Sequence, residues 1–219
     1  MAKTIRMSTS NKPLFISFEG IDGCGKSTQV KILLERLDQA GIDSTLVREP
    51  GGTHISEEIR EVLLTNRDDT MADRTETLLM TASRAQLTHD IIIPSQEKGK
   101  FVIADRFADS TLAYQGGGRG LNLDWLIKLN EFATFGVRPD LTFFIDVTAE
   151  VGARRRSTVH PDRLENVGHD FQEKVRNQYL KLVKLFPDRF FTLDGMESPD
   201  VIHTRIWLEV NKRMNKNEK

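Results

Sequence analysis

The chain has 219 residues, 38% of them hydrophobic and 29% charged, with a formal net charge of -1, the profile of a globular protein with one substantial core. It lacks the basic excess of a nucleic-acid binder and any run of about eighteen apolar residues that could span a membrane. Cys24 is the only cysteine, which excludes an internal disulfide framework.

Met1–Pro13 is polar, has no apolar segment of the signal-peptide kind, and reads as a loose tail of a cytoplasmic protein. Leu14–Phe18 is a short apolar run suited to a buried strand. Gly20-Ile21-Asp22-Gly23-Cys24-Gly25-Lys26-Ser27 follows it with the pattern G-x-x-x-x-G-K-[ST]. The glycines of such a loop let successive backbone N–H groups curl around an anion; Lys26 can reach β- and γ-phosphates, and the Ser27 hydroxyl can hold Mg²⁺. Val30, Leu33, Leu34 and Leu37 have helical spacing and predict a helix over Lys26–Ala40. Asp22 is anomalous, because a carboxylate beside bound phosphates is repelled and needs another polar partner, such as a sugar hydroxyl or a cation.

A second strand at Asp43–Val47 leads into Arg48-Glu49-Pro50-Gly51-Gly52-Thr53, where a cation suited to bidentate phosphate contact meets a tight turn. A solvated arginine beside a turn is the alternative. Helices are expected at His54–Leu64 and Thr75–Lys98. In the second, Arg84 lies close to an apolar face of Leu78, Leu79, Ala82 and Ala85, so its head needs an acceptor, either a structural carboxylate or a base carbonyl. The third strand, Phe101–Ala104, ends in Asp105-Arg106-Phe107. Asp105 is placed to order Mg²⁺ or its water shell, or simply to cap the next helix, and Arg106 to contact a second anion. Gly116-Gly117-Gly118-Arg119-Gly120 lacks dinucleotide-binding spacing and reads as a flexible loop.

Helix Leu123–Phe135, strand Leu141–Ile145 with Asp146, and helix Glu150–Arg156 come next. Ser157–Gly168 reads as a mobile loop, bracketed by Arg154, Arg155, Arg156 and Arg163; such arginines are either surface charge or a cation source that closes over a transferred phosphoryl group. Helix Phe171–Leu185, strand Phe190–Leu193 with Asp194-Gly195, and helix Pro199–Lys212 complete the pattern. The alternation predicts an α/β, three-layer fold: about five mainly parallel strands with helices on both faces. One domain is expected over 14–210, with a lid near 154–168 and a polar C-terminal tail at 211–219. Charged and glycine residues follow every strand, on the edge where such sheets bind ligands, which points to an enzyme. The histidines at 54, 89, 160, 169 and 203 have no metal-ligand spacing.

Taken together, Phe18–Thr28, Arg48–Thr53, Ser83–Gln86, Asp105–Phe107 with Ala113–Gln115, and Asp162–Glu165 resemble bacterial thymidylate kinase, a P-loop nucleoside monophosphate kinase family, over roughly Leu14 to Leu208. The resemblance implies transfer of a phosphoryl group from ATP, with Mg²⁺, to thymidine 5′-monophosphate, and a homodimer that takes small nucleotides and neither nucleic acid nor membrane as partners. It implies that Gly20, Ile21, Asp22, Gly23, Cys24, Gly25, Lys26, Ser27 and Thr28 hold ATP. Arg48 and Arg106 would grip the acceptor phosphate and Asp22 the sugar 3′-hydroxyl. Arg84, Thr111 and Gln115 would line the base pocket, and Tyr114 would occupy the space of a 2′-hydroxyl. Ser27, Asp105 and Glu165 would form the metal region. Met80 stands where the family usually stacks an aromatic ring, and Thr158 where many relatives have a lid arginine. Gly23 is typical of the type that draws its catalytic cation from the lid, with Arg156 the first choice over Arg154 and Arg155. The remaining readings are a kinase for another nucleoside or nucleotide, and a nucleotide-dependent switch. For the switch, no guanine-specifying N-K-x-D is present: Asn11-Lys12-Pro13-Leu14 fails at its last position.

Overall fold

A computed structural model describes residues 13–66, 70–156, 163 and 167–215. Its five strands, β1 (Phe15–Glu19), β2 (Ser44–Arg48), β3 (Phe101–Asp105), β4 (Leu141–Asp146) and β5 (Phe190–Asp194), form one sheet in the order β2-β3-β1-β4-β5. Every pairing is parallel; the central strands β3, β1 and β4 are buried on both faces, which explains why they read as unbroken apolar runs, while the edge strands β2 and β5 keep exposed residues such as Leu46. Alternate residues serve opposite faces. Ile16, Phe18 and Ile103 pack with Val30, Leu33 and Leu37 of α1 (Lys26–Gln39), while Phe15, Val102 and Ala104 pack with Leu87 and Phe107 on the other side.

The other helices are α2 (His54–Leu64), α3 (Asp73–Leu87), α4 (Ile93–Glu97), α5 (Ala108–Thr111), α6 (Leu123–Ala133), α7 (Ala149–Arg155), α8 (His169–Leu185) and α9 (Pro199–Asn215). Three sequence expectations need correction. The helix expected over Thr75–Lys98 is interrupted by a π-helical turn at Thr88–Ile92 just before Pro94. The wider turn, with Ile93 N–H bonded to Thr88 O, brings the chain to a proline that cannot donate to a helical ladder. The supposed flexible glycine loop continues α5 as a π-helical segment, Leu112–Gly118. Its glycines serve close packing: a Cβ on Gly117 would meet Gln178, and one on Gly118 the Phe171 ring. Finally, α9 continues to Asn215, so Asn211–Asn215 is helix and not tail. Met214 is buried there, and Arg213 bonds Glu209 and the Asp188 carbonyl. Most of the expected lid, including Thr158 and Glu165, lies outside the described residues.

Candidate active site

The carboxyl end of β1 turns directly into the glycine loop and α1. Gly20 and Gly23 have φ of 142° and 82°, backbone that side chains strain to adopt. Space forbids side chains as well: a Cβ on Gly20 would come 2.6 Å from the Ile145 carbonyl oxygen, and one on Gly23 would collide with the Gly152 carbonyl. Lys26 is buried and folds its Nζ back onto the Gly20 and Ile21 carbonyls, at 3.2 and 3.1 Å. The Ser27 hydroxyl donates to Asp105 at 2.8 Å. Gly23, Lys26, Ser27 and Asp105 line a cleft that also takes in Arg48, Arg155 and Arg156, whereas Gly20, Ile21, Cys24 and Arg154 are not among its lining residues. A smaller cavity opens on the other side of the loop, between Cys24, Gln29, Arg155 and Pro199.

A second cavity lies toward α3 and the π-helical segment. Met80, Arg84, Thr111, Tyr114 and Gln115 line it, together with Pro50 and Leu64. Asp22, Glu49, Arg60 and Arg106 line both this cavity and the cleft. Two spaces therefore meet at a rim with two cations, Arg60 and Arg106. None of the residues lining either space is a histidine.

The rim is tightly bonded. Arg106 takes a left-handed conformation, φ 73°, with its backbone N–H held by the Phe18 carbonyl. Its guanidinium reaches the Gly20 carbonyl at 2.9 Å, the Tyr114 hydroxyl at 2.9 Å, and Asp22. Burial by itself would raise the Asp22 pKa, but the charges of Arg106 and Lys26, with bonds from Arg106 and Tyr114, bring it down to about 2. That answers the sequence puzzle: the carboxylate inside the anion cradle is matched by two cations. Of the two acceptors considered for Arg84, the structure supplies a carboxylate, Glu49. Nε and one terminal nitrogen bond Glu49; the remaining N–H groups go to Thr111, Asn130 and the Phe107 carbonyl. All five donors are thus directed at protein acceptors, so a base carbonyl bound here would have to share one of them. Arg48 bonds Glu57 at 2.9 and 3.0 Å and lines the cleft only.

Ser27 and Asp105 offer paired hard oxygens at the phosphate end of the cleft, the donor type that Mg²⁺ takes alongside phosphate oxygens. Among the described residues no group of three or more His, Cys, Asp or Glu side chains could hold a metal by itself.

A family model of thymidylate kinases matches residues 18–206. The chain belongs to the thymidylate kinase family. It is 50% identical over 192 residues to the thymidylate kinase of Caldanaerobacter subterraneus subsp. tengcongensis, covering 88% of this chain and 92% of that one. It is 49% identical over 193 residues to that of Fervidobacterium nodosum, covering 88% and 96%. A crystal structure of thymidylate kinase from Ehrlichia chaffeensis superimposes with a TM-score of 0.74 at 33% identity, over 90% of this chain and 98% of that one.

Within this family frame, the residues expected from sequence gather as two sets. Gly23, Gly25, Lys26, Ser27, Thr28, Arg48, Asp105 and Arg156 surround the cleft, and Met80, Arg84, Thr111, Tyr114 and Gln115 surround the second cavity. Arg60, Glu49, Glu19 and Glu76 were not singled out from sequence. Arg60 had a legible signal: it lies four residues after buried Ser56 and three before buried Leu63, on the inner face of α2. The acidic residues had none, because their partners are distant in the chain.

Proposed function

We propose that this chain transfers the γ-phosphoryl group of ATP to thymidine 5′-monophosphate, giving thymidine diphosphate and ADP for dTTP synthesis. The observation that carries the reading is the shared rim: Asp22, Arg60 and Arg106 lie between a cleft lined by the glycine loop and a separate cavity lined by Met80, Thr111, Tyr114 and Gln115. A group passed between two nucleotides must cross such a junction. The acceptor is a phosphate monoester, largely a dianion near pH 7, so its oxygens are nucleophilic without a general base. The protein's task is alignment and charge neutralisation. Lys26 and the loop N–H groups hold the donor phosphates, Arg48 and Arg106 the acceptor phosphate, and Arg156 or Arg155 meets charge that grows on the moving group. Ser27 and Asp105 would hold Mg²⁺, which would supply positive charge to offset that of the donor phosphates; Glu165 is proposed to support that region. Asp22 accepts the sugar 3′-hydroxyl, and Tyr114 fills the space of a 2′-hydroxyl. Met80 is half-buried in the cavity wall and covers the base through its polarizable thioether.

The chain is further proposed to act in the cytoplasm as a homodimer. No described helix is long and apolar enough to cross a membrane. Phe132 is 84% exposed, and Phe135 and Leu78 are also well exposed on α3, α6 and the turn after it, the kind of surface that subunit contacts cover.

The test measures ADP release from ATP and Mg²⁺ with thymidine, uridine, cytidine and adenosine monophosphates as acceptors. Thymidine monophosphate should be fastest and the ribose analogues weak. Equal rates with cytidine or adenosine monophosphate would refute the substrate while leaving a kinase. ADP release that ignores the acceptor would favour a nucleotide-dependent switch.

A further inference from the structure

Glu76 of α3 has no surface exposure and does not line the second cavity, yet it bonds a residue that does. Gln115 Nε2 donates to Glu76 Oε1 at 2.8 Å. Arg119 donates to both carboxylate oxygens, at 3.2 and 2.9 Å, and Arg163 to Oε2 at 2.7 Å. Burial raises the pKa of this carboxyl, but the bonds from Arg119, Gln115 and Arg163 outweigh it, so the group is held below the usual carboxylate range. An ionised carboxylate only accepts. The Gln115 amide must therefore turn its NH₂ to Glu76. With its NH₂ taken by Glu76, the amide oxygen is the polar group that Gln115 has left to offer the cavity it lines.

The orientation matters because amide ends are opposite in kind. Thymine and uracil present a ring N3–H donor on their pairing edge, and cytosine presents a ring-nitrogen lone pair at the same atom. A fixed carbonyl oxygen suits the donor and repels the lone pair. A free amide would turn over and serve either. We propose that Glu76 is a positioning residue that sets base preference, by fixing the Gln115 amide so that the cavity receives an acceptor. This rests on the reading that the acceptor's pyrimidine occupies this cavity.

The experiment compares kcat and KM for dTMP and dCMP in the wild type, E76Q, E76D, Q115A and the double variant E76Q/Q115A, with a thermal melt of each. E76Q offers Gln115 a donor as well as an acceptor, and E76D keeps the negative charge but, being one methylene shorter, draws the carboxylate away from Gln115 and the two arginines alike. Both should lower the dTMP to dCMP ratio of kcat/KM by about tenfold or more, mainly through a higher dTMP KM, with kcat changed by less than about threefold. Q115A should lower the ratio similarly, and adding E76Q to it should lower the ratio no further. An unchanged ratio in Q115A or in the Glu76 variants overturns the proposal. So does an equal kcat loss for both substrates, or a further fall of the ratio on adding E76Q to Q115A. Loss of a cooperative melt in both Glu76 variants also overturns it, since Glu76 would then be a residue of the fold. A wild type that does not prefer dTMP would refute the substrate reading instead.

Discussion

Replacing Glu19 with glutamine should change how stability depends on pH. Glu19 closes β1 with no exposed surface. Its carboxyl accepts from the Phe107 N–H at 2.8 Å and from the Ser110 and Tyr179 hydroxyls at 2.7 Å each. Burial and the neighbouring Asp109 raise its pKa from 4.5 to about 7, against the pull of Arg106. Holding a proton over that interval corresponds to about 3 kcal/mol of folding free energy. The folded-state pKa is the higher one, so the stabilisation is complete below about pH 4.5 and is lost as pH rises through about 7. Glutamine keeps the shape and never ionises. The stability of E19Q relative to wild type should therefore improve by about 3 kcal/mol between about pH 4.5 and 8. Urea unfolding of both nucleotide-free proteins across that range measures it. Glu49, whose pKa burial also raises, and His203, whose pKa burial lowers, titrate in both proteins and cancel in the difference. Asp22, at about 2, titrates below the window. A difference that stays flat with pH would refute the reasoning.

Lys26→Ala should cut turnover by more than about a hundredfold with only a modest loss of thermal stability, since the Nζ bonds only groups of its own loop, the Gly20 and Ile21 carbonyls and the Cys24 sulfur, and Arg106 still faces Asp22; near-normal turnover in a folded variant would mean that the glycine loop is not the donor site. Arg156→Ala or Arg155→Ala should lower kcat more than about tenfold with dTMP KM little altered, because the charge met is greatest in the transition state, and Arg154→Ala should have a smaller effect because it does not reach the cleft. Normal kcat in all three would leave the cluster as surface charge. Gly23→Arg should destabilise the fold by about 1–3 kcal/mol, given φ 82° and the Gly152 carbonyl in the way; an unchanged melting midpoint would contradict this. Cys24→Ala should keep activity within about twofold, since backbone N–H groups do the binding in such a loop. The buried wild-type thiol should react slowly with a thiol reagent, and rapid modification would show the loop to be more open.

The sequence by itself determined the order and kind of the main elements and one end of the site. The central strands were short apolar runs because a parallel sheet covered on both faces leaves them no polar side, and observed strand limits fall within one residue of those expected. The glycine loop was legible because its function depends on backbone freedom at fixed spacing, which is a local property. Arg84 was recognisable as a cation needing an acceptor, but not which one: Glu49 is 35 positions away. The π-helical course of Leu112–Gly118 was also hidden, since its glycines are required by the approach of α8 and not by their own φ. Only the tertiary structure decided that Glu76 holds Gln115 across 39 positions, that Glu19 holds the Phe107 N–H across 88, and that Arg60 joins Arg106 at the rim between the two spaces. Periodicity and motif spacing report conformation and burial within one element, whereas the partner of a buried charge is fixed by strand order and helix packing.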